Sequence, residues 1–213
     1  MEIKYIQGCE FLGRALREAA GEDFEKKFGR KYLIRGNYHW RDYHRGEGIL
    51  YQRHVDYVLS FFRDESGTLL DIGCGDGLIL SLLSKIERLE CFGIDISPLA
   101  IEFAYMNEVK NCMVADALRY GGSRFNFLYA GDILEHLREP RILIARMKDW
   151  LLENGTAFFS FPIQKKKEEN DHHLFTGKSA RQLVENTFEI ISFELRKDLK
   201  KMYIVAKQEE KNV

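Results

Sequence analysis

A chain of 213 residues with 45% hydrophobic and 31% charged side chains has enough apolar material for one domain with a full core. Its formal net charge of -1 gives no support to a nucleic-acid or anionic-membrane partner. No run is long enough to span a bilayer, no apolar leader follows Met1-Glu2-Ile3-Lys4, and the four cysteines at 9, 74, 91 and 112 form no CxxC pair, so the expectation is a reduced, cytoplasmic chain without a signal peptide.

Residues 9–28 read as an amphipathic helix, with Phe11, Leu12, Ala15, Leu16 and Ala19 at helical spacing. The stretch from Tyr32 to His44 is dense in aromatic, His and Arg residues. Tyr38, His39, Trp40, Tyr43 and His44 either cover a bound ligand as a lid or anchor helices. A second helix is predicted over 47–62, burying Ile49, Leu50, Val55, Val58, Leu59 and Phe62. These elements make an N-terminal helical segment of residues 1–66, ahead of a main domain over 67–213.

The main domain opens on Leu69-Leu70-Asp71-Ile72-Gly73-Cys74-Gly75-Asp76-Gly77, a short apolar run that ends in alternating glycines. It reads as strand, tight turn and helix start, where glycine lets a ligand approach the backbone and free N–H groups face it. Further strands are predicted at 90–95, 111–114, 125–130, 155–161, 188–195 and 202–207, with helices near 77–85, 98–108, 140–152 and 178–186. Such alternation implies a parallel sheet covered on both faces. The link from Arg196 to Lys201 is too short for a crossover, so the last two strands pair antiparallel. The expected class is α/β: a seven-stranded, doubly wound, mostly parallel sheet with an antiparallel C-terminal hairpin, plus N-terminal helices.

The spacing Gly73-x-Gly75-x-Gly77 after Asp71 resembles the first motif of the class I S-adenosylmethionine-dependent methyltransferases. A nicotinamide-dependent oxidoreductase would carry a different glycine spacing and lack the terminal hairpin. The resemblance covers residues 69–207. It implies that Asp71, Gly73, Cys74, Gly75 and Gly77 hold the cofactor's amino acid end. Asp95 closes the second strand, where a carboxylate accepts both ribose hydroxyls, with Ile96 beside it. Val114-Ala115-Asp116-Ala117 resembles the third motif, which makes Asp116 and Ala117 the adenine contacts. Residues 125–137 resemble the fourth, with Gly131 and Asp132 at the strand end beside the methyl group. Leu151 to Pro162 resembles the fifth, with Asn154-Gly155 where the family usually has two glycines.

The expected cofactor is therefore S-adenosylmethionine and the expected reaction methyl transfer to oxygen or nitrogen of a small molecule, with metal-assisted 2′-O-methyl transfer to RNA as the alternative. His136 is the candidate base because an imidazole titrates near neutrality, with Asp132 or Glu135 orienting it. Asp132-x-x-Glu135-His136, with His172 or His173 downstream, also resembles the metal cluster of some quinone-biosynthesis and small-RNA 2′-O-methyltransferases. Asp stands where that cluster has Glu, and the expectation is no metal. The acceptor is expected among the N-terminal residues and the loop 162–176, and the oligomeric state stays open.

Overall fold

The computed structural model describes residues 30–46, 48–168 and 171–208. The helix predicted over 9–28 lies outside the described residues, as does Glu47. Three helices precede the sheet: α1 (Arg30–Arg35), α2 (Tyr38–Arg45) and α3 (Ile49–Phe62). Then β1 (Gly67–Ile72), α4 (Leu78–Leu83), β2 (Leu89–Asp95), α5 (Pro98–Met106), β3 (Cys112–Val114) and β4 (Phe125–Gly131) alternate. A short 3-10 turn (Leu134–His136) leads to α6 (Pro140–Trp150), β5 (Leu151–Pro162), α7 (Gly177–Glu185), β6 (Phe188–Arg196) and β7 (Lys201–Gln208).

The sheet runs β3-β2-β1-β4-β5-β7-β6, and β7 lies antiparallel to both of its neighbours while the other pairs are parallel. The expected fold is the observed one. Strand alternation sorts side chains to the two faces. Leu70, Ile72 and Leu128 pack with Leu143, Met147, Leu183 and Val184 on one side. Leu69, Phe127, Tyr129 and Phe158 pack with Val58, Phe62, Leu80 and Ile101 on the other. Helix α3 thus belongs to the same core as the sheet. Phe62 is fully buried against Phe127 and Phe158, and truncating such a ring to Ala costs about 3–5 kcal/mol.

Local signals explain most boundaries. Ser97 caps α5 by accepting a hydrogen bond from the Ala100 N–H, with Pro98 at the first helical position. Thr176 and Ser179 cap α7 reciprocally. Helix α6 ends earlier than the sequence suggests, because Leu151 already pairs with Phe125 on β4. The next pair is Phe127 with Thr156, so residues 152–155 form a bulge, with Asn154 at φ 63 in left-handed geometry.

Candidate active site

A cavity of about 370 Å³ opens at the carboxyl ends of β1, β2 and β4, the position where doubly wound sheets bind ligands. Its floor is the glycine turn. Gly73 and Gly75 have φ of 79 and 57, and the N–H groups of Gly73 and Cys74 both donate to the Ile94 carbonyl oxygen, at 2.8 and 3.0 Å. A Cβ on Gly73 would stand 2.8 Å from Ile133, and one on Gly75 2.5 Å from the Tyr32 hydroxyl. A side chain at either position would therefore collide with these walls, and the positive φ values disfavour one as well.

Asp71, Gly73, Cys74, Gly75, Asp95, Ile96, Asp116, Ala117, Gly131, Asp132, Glu135 and His136 all line this cavity. Gly77 does not; it is the N-cap residue of α4. The Asp95 carboxylate accepts from the Gly75 N–H at 2.9 Å and the Ser97 N–H at 2.7 Å, so the loop itself fixes its orientation. Burial raises its pKa, and the hydrogen bonds from Ser97 and Gly75 work against that rise. Asp71 is 3% exposed; burial, then the nearby Asp95, pushes it up to about 8. Asp116 accepts from the Leu118 N–H at 2.8 Å, a turn-closing role alongside its place in the wall.

At the other end, β4 gives way to Asp132, a non-glycine residue at φ 50 directly after Gly131. Its carboxylate is an ion-pair partner of Lys201 and accepts from the Ser160 hydroxyl at 3.3 Å. Burial acts to raise its pKa, but Lys201 and then His54 hold it below the usual carboxylate value. Asp171 stands beside His136, with its Oδ1 3.0 Å from His136 Nδ1. Asp132 is committed to Lys201 on β7, a partner distant in sequence. Glu135 is 2% exposed, and burial, then Asp132, raises its pKa well above the ordinary value.

The aromatic segment divides. Tyr38 and His39 line the cavity, with Tyr32 and Lys31 from α1, whereas Trp40, Tyr43 and His44 do not. Trp40 packs toward the second core and donates its Nε1–H to the Asp76 carbonyl oxygen at 2.7 Å. The backbone N–H of His39 donates to Asp76 Oδ2 at 3.1 Å, and His39 Nδ1 lies 3.1 Å from Asp76 Oδ1. Asp76, 1% exposed inside the glycine turn, therefore fastens α2 onto that turn. Sequence reasoning passed over Asp76 because it sits at a variable position of the glycine pattern. It also passed over Lys201, Tyr51 and His54. The last two share the cavity-facing side of α3, a signal available in their spacing of three residues. His54 Nδ1 lies 2.8 Å from the Tyr203 hydroxyl, and burial, then Lys201, lowers its pKa to about 4.

Among the described residues, no group of three or more His, Cys, Asp or Glu side chains is arranged to hold a metal ion. His173 Nε2 lies 3.0 Å from the Arg138 carbonyl oxygen, and neither His172 nor His173 lines the cavity. No helix among the described residues is long and apolar enough to cross a membrane.

A family profile described as a methyltransferase domain matches residues 43–203. The mitochondrial ubiquinone biosynthesis O-methyltransferase of Candida albicans is 28% identical over 132 residues, 57% of this chain and 40% of that protein. Its counterpart from Bartonella quintana is 27% identical over 116 residues, 48% of this chain and 47% of that one. The matches thus span less than half the length of these curated relatives. Among solved structures, a Pyrococcus horikoshii protein superposes with a TM-score of 0.63 at 18% identity, covering 76% of this chain and 91% of that one. The N-methyltransferase NodS of Bradyrhizobium japonicum, solved with S-adenosylhomocysteine, superposes at 0.60 with 17% identity, covering 75% and 87%. At such identities these two likenesses concern the fold.

Proposed function

The chain belongs to the methyltransferase-domain family, and from that premise we propose that it transfers a methyl group from S-adenosylmethionine to oxygen or nitrogen of a small-molecule acceptor. One observation carries the proposal: a single cavity joins the glycine turn and Asp95 to the Asp132–His136 end. The open glycine turn and the loop-held Asp95 suit the cofactor. Asp95 would accept the ribose hydroxyls, Asp116 and Ala117 would face the adenine, and the turn from Asp71 to Gly75 would hold the amino acid end. When bound, the cofactor supplies an electrophilic methyl group on a sulfonium. The chain's own part is alignment, which contributes several kcal/mol in such displacements.

His136 is then the base that relieves the acceptor of its proton, with Asp171 stabilising the imidazolium. Tyr38 and His39 line the cavity from α2 and narrow its access to water. The likeness to the O-methyltransferases supports a small acceptor. Cys74, Cys91 and Cys112 are unpaired, which supports a reducing, cytoplasmic setting. The test is a calorimetric titration with S-adenosylhomocysteine, followed by a labelled-methyl screen against metabolite pools. Micromolar binding and a labelled small molecule are expected. Binding of NAD in place of S-adenosylhomocysteine would overturn the reading.

A further inference from the structure

The transfer step leaves one group at the acceptor end without a task. Glu135 lines the cavity and is 2% exposed, yet its Oε2 has no hydrogen-bond partner. A buried carboxyl oxygen left in this way is costly, and a ligand that brings an N–H donor would satisfy it.

Charge indicates which donor. Beyond the four aspartates of the glycine turn and the cofactor strands, three carboxyl side chains, Asp132, Glu135 and Glu168, line the cavity, and Asp171 stands behind His136. Two ammonium groups face them. Lys201 is already engaged by Asp132, and Lys31 rests over the Tyr38 ring, 5.2 Å from its centroid. Glu135 is the carboxyl that neither ammonium holds, and the neighbouring walls are the rings of Tyr38 and Tyr51, whose faces also attract cations. An anionic or neutral acceptor would bring Glu135 no counter-ion.

Building on the methyltransferase reading, we infer that the acceptor is a small amine, anchored as its ammonium ion by Glu135 and methylated on nitrogen. As the ammonium enters, Glu135 yields its own proton to water and becomes the counter-ion. The ammonium then passes one N–H proton to His136, beside Asp171. The freed lone pair forms the N–C bond, the S–C bond breaks with its electron pair left on sulfur, and the product departs as a methylated ammonium.

The test uses the full chain, labelled S-adenosylmethionine and a panel of primary amines, each matched with the alcohol and the carboxylic acid of the same skeleton. Amines should accept label at least about tenfold faster than their matched partners, a discrimination within reach of one charge-assisted contact. Label on alcohols or acids at equal or greater rate, or on no amine at all, overturns the inference. Glu135→Gln should raise KM for the accepted amine by about tenfold or more while the affinity for S-adenosylhomocysteine stays unchanged. Should that variant fail to fold, Glu168→Gln, at an exposed position, is the substitute and should raise the same KM by a few-fold. An unmoved KM in the variant that folds also overturns the inference. S-adenosylhomocysteine binding is measured on every sample: its loss in the parent chain defeats the methyltransferase reading, whereas its retention without amine preference defeats only this inference.

Discussion

Asp95 and His54 show how differently two buried titratable groups affect the same cavity. Asp95 receives two loop N–H groups, so Asp95→Ala removes both the ribose acceptor and the fastening of the turn. Because charge-assisted hydrogen bonds are worth about 1.5–3 kcal/mol each, the dissociation constant for S-adenosylhomocysteine should rise at least about tenfold, with a melting temperature lower by a few degrees. Unchanged affinity in a folded variant would remove Asp95 from the cofactor's contacts. His54 is held neutral, with its pKa lowered from 6.5 to about 4. Its neutral form is the one the fold favours, so its contribution is complete above about pH 6.5 and fades as the pH falls toward 4, by up to ~3 kcal/mol. Asp71, raised to about 8, acts in the opposite sense: its contribution is complete below the usual carboxylate pKa and is lost as the pH rises toward 8. The two overlap, so the measurement is a difference. Urea melts of wild type and His54→Gln should converge as the pH drops from 6.5 to 4, and parallel profiles would show that His54 titrates normally.

At the level of elements, α2 is a clamp on the glycine turn more than a wall of the acceptor site. Trp40 and Tyr43 stand outside the cavity, and Trp40 reaches Asp76 through its indole N–H. Trp40→Ala with Tyr43→Ala should therefore weaken cofactor binding and lower the hydrogen-exchange protection of α2, leaving KM for the acceptor nearly unchanged. A larger effect on acceptor KM would restore the lid role read from the sequence. Most of the fold was legible because its signals are local: the glycine turn, the caps at Ser97 and Thr176, and the short link before Lys201. The cavity walls drawn from single strands were legible for the same reason. What escaped notice depends on contacts between distant segments. Asp132 finds Lys201 across 69 residues, and His39 finds Asp76 across 37, and no motif spacing encodes either pair. Asp171, which stands 3.0 Å from His136, also escaped notice as its neighbour, since it lies beyond β5 on a loop with no periodicity to place it.

For the molecule as a whole, ligand binding should register as stability. Saturating S-adenosylhomocysteine at about 100 times its dissociation constant should add ~2.7 kcal/mol and raise the melting temperature, while NAD should leave it unmoved. Treatment with EDTA should leave methyl transfer largely intact, since Asp132 is paired with Lys201 and His173 faces a backbone carbonyl. Loss of activity restored by Mg²⁺ or Mn²⁺ would make Asp132, Glu135 and His136 metal ligands. The insertion of β7 between β5 and β6 has a further consequence, in the order of events during synthesis. Strand β5 leaves the ribosome with one edge unpaired, and β6, the next strand made, cannot occupy that edge in the native order. The edge stays open until Lys201–Gln208 has emerged and slid between them. A nascent chain stalled after Arg196 would present Phe159 and Phe161 beside an unpaired backbone, the kind of surface that chaperones and neighbouring chains bind.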